Sequence, residues 1–151
     1  MEAVHSLSLV VDCNYTLDMT YSLPIIAVIG GTGDEGFGLA LRWSQAGYKV
    51  IIGSRLLHKA VHKASEANAH LSDMSMPVDG MDNLAAARAC DISVLTVPYK
   101  AHRATLGSVK DALQGKILVD VTVPLVPPRV SQVHLPSGGS AGQEAQAILG
   151  D

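Results

Sequence analysis

An apolar run in this chain ends abruptly in glycine. Ile25-Ile26-Ala27-Val28-Ile29 is followed by Gly30-Gly31-Thr32-Gly33-Asp34-Glu35-Gly36-Phe37-Gly38, and then by Leu39-Ala40-Leu41-Arg42-Trp43. A strand-like stretch therefore passes through a glycine cluster into a helical pattern, and few folds accept that order. Gly31, Gly33 and Gly36 satisfy G-x-G-x-x-G, and each position has a physical task. The first glycine is expected to make the tight turn, the second to let a ligand approach the backbone, and the third to let the helix pack closely on the strand. The free N–H groups and the positive dipole end of that helix would face an anion. The segment thus predicts a dinucleotide-binding βα turn, with Gly31, Thr32, Gly33, Asp34, Glu35 and Gly36 as candidate cofactor-binding residues.

A second register is possible. Gly30, Gly33 and Gly36 also fit G-x-x-G-x-x-G, the spacing of short-chain dehydrogenases, which use a Tyr with a Lys four residues later. Tyr15, Tyr21, Tyr48 and Tyr99 are followed at that offset by Met19, Ile25, Ile52 and Arg103, so the chemistry of that register is missing.

With 151 residues the chain is long enough for one domain with a useful core. Its formal charge of −3 argues against nonspecific nucleic-acid binding. Cys13 and Cys90 show no metal-ligand spacing, and so sparse a cysteine content suits a reducing, cytoplasmic setting. No apolar run reaches the roughly 18 residues of a membrane-spanning helix. Residues 1–22 read as an extension without the features of a signal peptide. The expectation is a disordered or mis-started tail, with translation beginning at Met19 and the folded domain covering 23–151. A short strand at Ser8–Val11 is the alternative.

Further along, the pattern predicts a helix at Asp34–Gln45, capped by Asp34 and stopped at Gly47. A strand at Lys49–Gly53, a helix at Leu57–His70 and a short strand near Val78 follow. Next come a helix at Asp82–Cys90, a strand at Ile92–Val97 stopped by Pro98, and a helix at Ala101–Leu113 ended by Gly115. A strand at Ile117–Val121 leads through a Pro-rich loop to a helix at Ser140–Leu149. This alternation predicts an α/β fold, a doubly wound parallel sheet of Rossmann type with strand order 3-2-1-4-5 and the ligand above strands one and four.

The end of the second strand bears on which dinucleotide would bind. NAD sites place an acid there for the ribose 2′-hydroxyl. Here Tyr48 through Ser65 contains no Asp or Glu, but does contain Lys49, Arg55, His58, Lys59, His62 and Lys63. A hydroxyl beside a guanidinium suits a 2′-phosphate: Ser54 can donate, Arg55 can engage two oxygens, and Lys59, one turn on, adds a point charge. The cofactor implied is NADP(H).

These segments, with Leu95-Thr96-Val97-Pro98, resemble the NADPH-dependent F-420 reductases, or F-420H2:NADP oxidoreductases, whose second coenzyme is an 8-hydroxy-5-deazaflavin. The likeness runs from about Leu23 to Gly150. It implies that Thr32, Ser54, Arg55 and Lys59 hold the 2′-phosphate region. It also implies that Thr96, Val97 and Pro98 line the nicotinamide side. The implied reaction is hydride transfer between two carriers held face to face, which requires no catalytic acid, base or nucleophile. His102 is accordingly read as exposed or capping, and His134 as structural or solvated. Members of the family carry further strands and a C-terminal helical region that complete the deazaflavin pocket and the dimer, so the resemblance covers the NADP half of a site. A homodimer or a partner would supply the rest, and the chain alone is expected to be a poor catalyst. Two other readings stand beside this one: an NADPH-dependent reductase of a small imine or acid, of pyrroline-5-carboxylate reductase or prephenate dehydrogenase type, and a noncatalytic NADPH-sensing module.

Overall fold

The computed structural model describes residues 22–72, 75–125, 128, 131–132 and 134–150. The expected extension, including Ser8–Val11, Cys13 and the start at Met19, lies outside the described residues. Among the described residues five strands and five α-helices alternate: β1 (Ile26–Ile29), α1 (Asp34–Gln45), β2 (Val50–Ser54), α2 (Leu57–His70), β3 (Val78–Asp82), α3 (Asn83–Ala89), β4 (Ile92–Leu95), α4 (Tyr99–Val109), β5 (Ile117–Asp120) and α5 (Ala141–Leu149). The sheet is parallel, in the order β3-β2-β1-β4-β5. This is the doubly wound Rossmann order predicted from the alternation.

The apolar runs become strands because both of their faces are covered, as in parallel sheets generally. Ala27, Ile29, Ile51 and Leu95 face one layer, with Ala86, Ala87, Leu106, Val109, Leu113 and Ala145 from the helices and from a 3-10 turn at Lys110–Leu113. Val28, Val50, Ile52 and Val78 face the other, against Ala40, Ala60, Ala64 and Ala67. The small stripe Ala60, Ala64 and Ala67 lets α2 lie close to the sheet, and Gly80 of β3 has no room for a Cβ above the Ala60 backbone. Asn68 locks the same contact: its side chain accepts from the Val78 N–H at 2.8 Å and donates to the Val78 carbonyl at 3.0 Å.

Several predicted boundaries shift for identifiable reasons. The cap of α1 is Gly33, without a side-chain hydrogen bond, and Asp34 is the first helical residue. Strand β2 extends through Ser54, which pairs with Asp82 of β3. Strand β4 ends at Leu95, where its partner β1 also ends: Thr96 makes the last bonds to β1, its N–H and hydroxyl both donating to the Ile29 carbonyl at 3.0 and 3.2 Å, and Pro98 has no N–H to offer. Pro98 instead caps α4, which starts at Tyr99, two residues before the predicted start. On β5, Leu118 packs into the core while Ile117 and Val119 stay exposed.

Gly80→Ala is expected to push α2 off β3 and destabilise by about 1–3 kcal/mol. Gly107→Ala, in an exposed turn of α4 with nothing within 4 Å of the new methyl, should stabilise by about 0.5–1 kcal/mol. Urea unfolding of the two variants checks the opposite signs.

Candidate functional site

At the carboxyl ends of β1, β2 and β4 lies a cleft of about 320 Å³. Of the candidate residues, Thr32, Gly33, Ser54, Arg55, Lys59, Thr96, Val97 and Pro98 line it. It sits where the strand order reverses, the crevice in which open α/β sheets take ligands. A larger hollow of about 510 Å³ lies elsewhere, between the β5 edge and α5. Among the described residues Lys116 is the one lysine or arginine in its lining, and the hollow lies on the sheet edge away from the point where the strand order reverses.

Backbone packing shapes the cleft floor. The tight turn expected at Gly31 takes its left-handed step one residue earlier, on Gly30 with φ +74°, the first glycine of the second register. A Cβ on Gly30 would overlap the Val97 side chain. Gly31 is buried, and its N–H bridges to the carbonyls of Val28 at 3.1 Å and Gly53 at 3.0 Å. Gly36 allows α1 to touch β1, since a Cβ there would come within 2.6 Å of Gly31 Cα and 2.7 Å of Thr96 Oγ1. Gly33 has nothing within 4 Å of a would-be Cβ. Its open side is the space in which a ligand could come against the backbone.

Asp34 and Glu35 are exposed, and their side chains border a separate surface hollow on the outer face of α1 with Gly38, Leu39 and Arg42. What they can offer the cleft is backbone N–H. The first N–H groups of a helix have no intrahelical acceptor, and Gly33 brings no side chain to satisfy them.

The basic end of the cleft is built on the β2–α2 junction. Ser54 is buried, and its Oγ accepts from the Leu56 N–H at 3.3 Å, so its own O–H remains available to donate. Arg55 and Lys59 are exposed, and among the described residues neither forms an ion pair. Lys63 differs, being paired with Glu66 at 2.8 Å. That contact, above all the Lys63 hydrogen bond, lowers the Glu66 pKa.

Gly30, which the second glycine register had named, also lines the cleft, and Leu56, Asn83, Ala101 and Thr105 join it without having been singled out from the sequence. Asn83 matters most among them. It opens α3, is buried, and its Oδ1 accepts from the Gly30 N–H at 3.3 Å. The Asp82-Asn83 pair at a strand-to-helix junction was the available signal, but the partner is 53 residues away.

His102 corrects another expectation. Far from exposed, it has only 1% of its surface accessible and holds Asp120 at 2.7 Å through Nε2. One turn earlier Tyr99 donates to Glu144 of α5 at 2.9 Å. His134 is exposed, and its N–H donates to the Pro124 carbonyl at 3.0 Å. Cys90 is buried away from the cleft, and burial pushes its thiol pKa up, which suits a packing residue.

A family model described as "NADP oxidoreductase coenzyme F420-dependent" matches residues 25–124. The chain belongs to that family. An F420-dependent NADP reductase of Methanothermobacter marburgensis is 51% identical over 100 residues, covering 66% of this chain and 45% of the relative. One from Methanocaldococcus jannaschii is 38% identical over 129 residues, covering 82% of this chain and 57% of the relative. The crystal structure of an Arthrobacter sp. FB24 protein assigned as an F420-dependent NADP reductase superposes with a TM-score of 0.67 at 26% identity. The match covers 84% of this chain and 59% of that one. The chain thus spans about half the length of the curated relatives it matches. The matched segment runs from β1 through Pro124, just past β5, and so contains every residue that lines the cleft. Among the described residues no helix is long and apolar enough to cross a membrane.

Burial, and then the hydrogen bond to Glu144, raises the Tyr99 pKa above its ordinary value of 10. The folded state therefore binds this proton more tightly than the unfolded chain does. That stabilisation is complete below pH 10 and is lost as pH rises through the elevated folded value. The stability advantage of the native protein over Tyr99→Phe should shrink on that alkaline limb, as thermal unfolding across pH 8–12 would show.

Proposed function

We propose that this chain forms the NADP(H)-binding half of a reductase that exchanges hydride between NADP(H) and coenzyme F420. The observation that carries the reading is the junction at the end of β2. There a buried hydroxyl with a free proton adjoins two cations that form no ion pair among the described residues, in a stretch of chain without a carboxylate. Ser54 and Arg55 would bind the 2′-phosphate by charge-assisted hydrogen bonds, with Lys59 as a nearby charge. Thr32, the open side of Gly33 and the N–H groups of Asp34, Glu35 and Gly36 would receive the pyrophosphate. Gly31 acts beneath the loop by letting the turn pack down. Thr96, Val97 and Pro98 would form the wall along the nicotinamide.

When bound, the two coenzymes supply the hydride donor and acceptor. The protein's part is to orient one ring and to keep its reacting face accessible to the other. The family match and the relatives' activity support this assignment over a reductase of small imines or acids. In the same reading the protein works in the cytoplasm, and a second copy or a partner completes the deazaflavin pocket.

NADPH is expected to bind at least about tenfold more tightly than NADH, about 1.4 kcal/mol. Arg55→Ala should erase that preference, and equal affinities in the native protein would refute the assignment to NADP. The activity is tested by following deazaflavin absorbance with NADPH and purified F420. Tight NADPH binding without any transfer, alone or with a completing partner, would leave a binding module in place of an enzyme.

A further inference from the structure

We propose that His102 and Asp120 are positioning residues for the nicotinamide half of the cleft, acting through Thr122 on Val97. The inference rests on the dinucleotide reading above and assigns a task to a buried pair which that reading leaves unused.

The contacts form a continuous relay. His102 Nε2 lies 2.7 Å from Asp120 Oδ2. The other carboxylate oxygen, Oδ1, accepts from the Thr122 N–H at 3.0 Å. The Thr122 hydroxyl donates to the Val97 carbonyl at 3.4 Å, the longest link. Val97 lines the cleft, and its side chain closes on Gly30, where no Cβ could fit. A pair at the first turn of α4 and the carboxyl end of β5 thereby reaches the glycine turn without itself lining the cleft.

Fold stability alone is a weak reason for such a pair. Burying a carboxylate and an imidazole costs desolvation, and apolar side chains of similar volume often do as well or better. The cost is visible here, because His102 Nδ1 is buried without a partner. A bare lone pair at Nδ1 is easier to bury than an unpaired N–H, so the arrangement favours the tautomer with its proton on Nε2, donated to Asp120. In return, both carboxylate oxygens are directed. One is held by the helix, and the other fixes the first residues after β5 in the conformation that presents Thr122 to Val97.

The position of Val97 makes this relevant to one end of the ligand only. The 2′-phosphate end lies at Ser54 and Arg55, across β1 from β4. A dinucleotide that starts there places its second nucleotide over the β4 side of the switch point. Val97 is therefore a wall for the nicotinamide and not for the adenosine.

Binding of two probes to the full chain separates this role from a merely structural one. The fragment 2′,5′-ADP occupies only the phosphate end, whereas NADPH also needs the Val97 wall. For Thr122→Val and His102→Leu, the Kd of 2′,5′-ADP should stay near the native value. The NADPH Kd should rise about fivefold, about 1 kcal/mol, as the Val97 wall loosens, with a matching fall in nicotinamide fluorescence enhancement. His102→Gln, which keeps a donor toward Asp120, should restore most of the loss. Parallel weakening of both probes, or no change in NADPH binding for Thr122→Val, would overturn the proposal. Should His102→Leu fail to fold, Thr122→Val decides alone. If the native protein binds neither probe, the dinucleotide reading itself fails, a result distinct from either outcome.

Discussion

Close backbone packing at the end of β1 is the constraint on which the rest of the structure depends. Gly36 lets α1 descend until it touches Gly31, Gly31 lies on Val28, and Gly30 takes a left-handed turn under the Val97 side chain. Three elements thus meet with almost no side-chain volume between them. A methyl group at any of these glycines would wedge apart α1, β1 and the β4 loop. The same packing creates the cleft, since it is the lowered loop that exposes Gly33 and the first N–H groups of α1 to a ligand. Fold and site are here one packing problem.

The remainder of the molecule holds that meeting point in place. Strands β1, β2 and β4, buried on both faces, make a rigid centre to the sheet, and alanine stripes on the helices keep the layers close. Asn83 fastens the turn from the β3 side and Thr96 from the β4 side, both by hydrogen bonds to the backbone at Ile29–Gly30. The cations at the β2–α2 junction differ in kind. They are exposed and form no ion pair among the described residues, which suits contact with a charged ligand better than support of the fold.

The legible parts of the fold share one property: their signal is local. The passage from Ile25 to Trp43 states strand, turn and helix within one window, and the acid-free stretch after β2 needs no knowledge of distant residues. Alternation of apolar runs with helical patterns was enough for a doubly wound parallel sheet, and the glycine fingerprint after the first strand selected the 3-2-1-4-5 order among its few right-handed arrangements. The missed side-chain partnerships join residues far apart in the chain. Asn83 meets Gly30 across 53 positions, and Asp120 meets His102 across 18. His102 was misread because a histidine near a helix start looks solvated until β5 brings a carboxylate beside it.

The amino-acid sequence by itself determined the class of fold, the place of the phosphate-binding turn and the charge at the end of β2. Each follows from steric or electrostatic properties of neighbouring residues. Only the tertiary structure decided which glycine carries the left-handed turn, that Asp34 and Glu35 turn their side chains away from the cleft, and that His102 is buried against Asp120. Those outcomes depend on which strands lie side by side and how closely the layers approach. Pairing and layer spacing are settled by packing of the whole core, and no single window of residues records it.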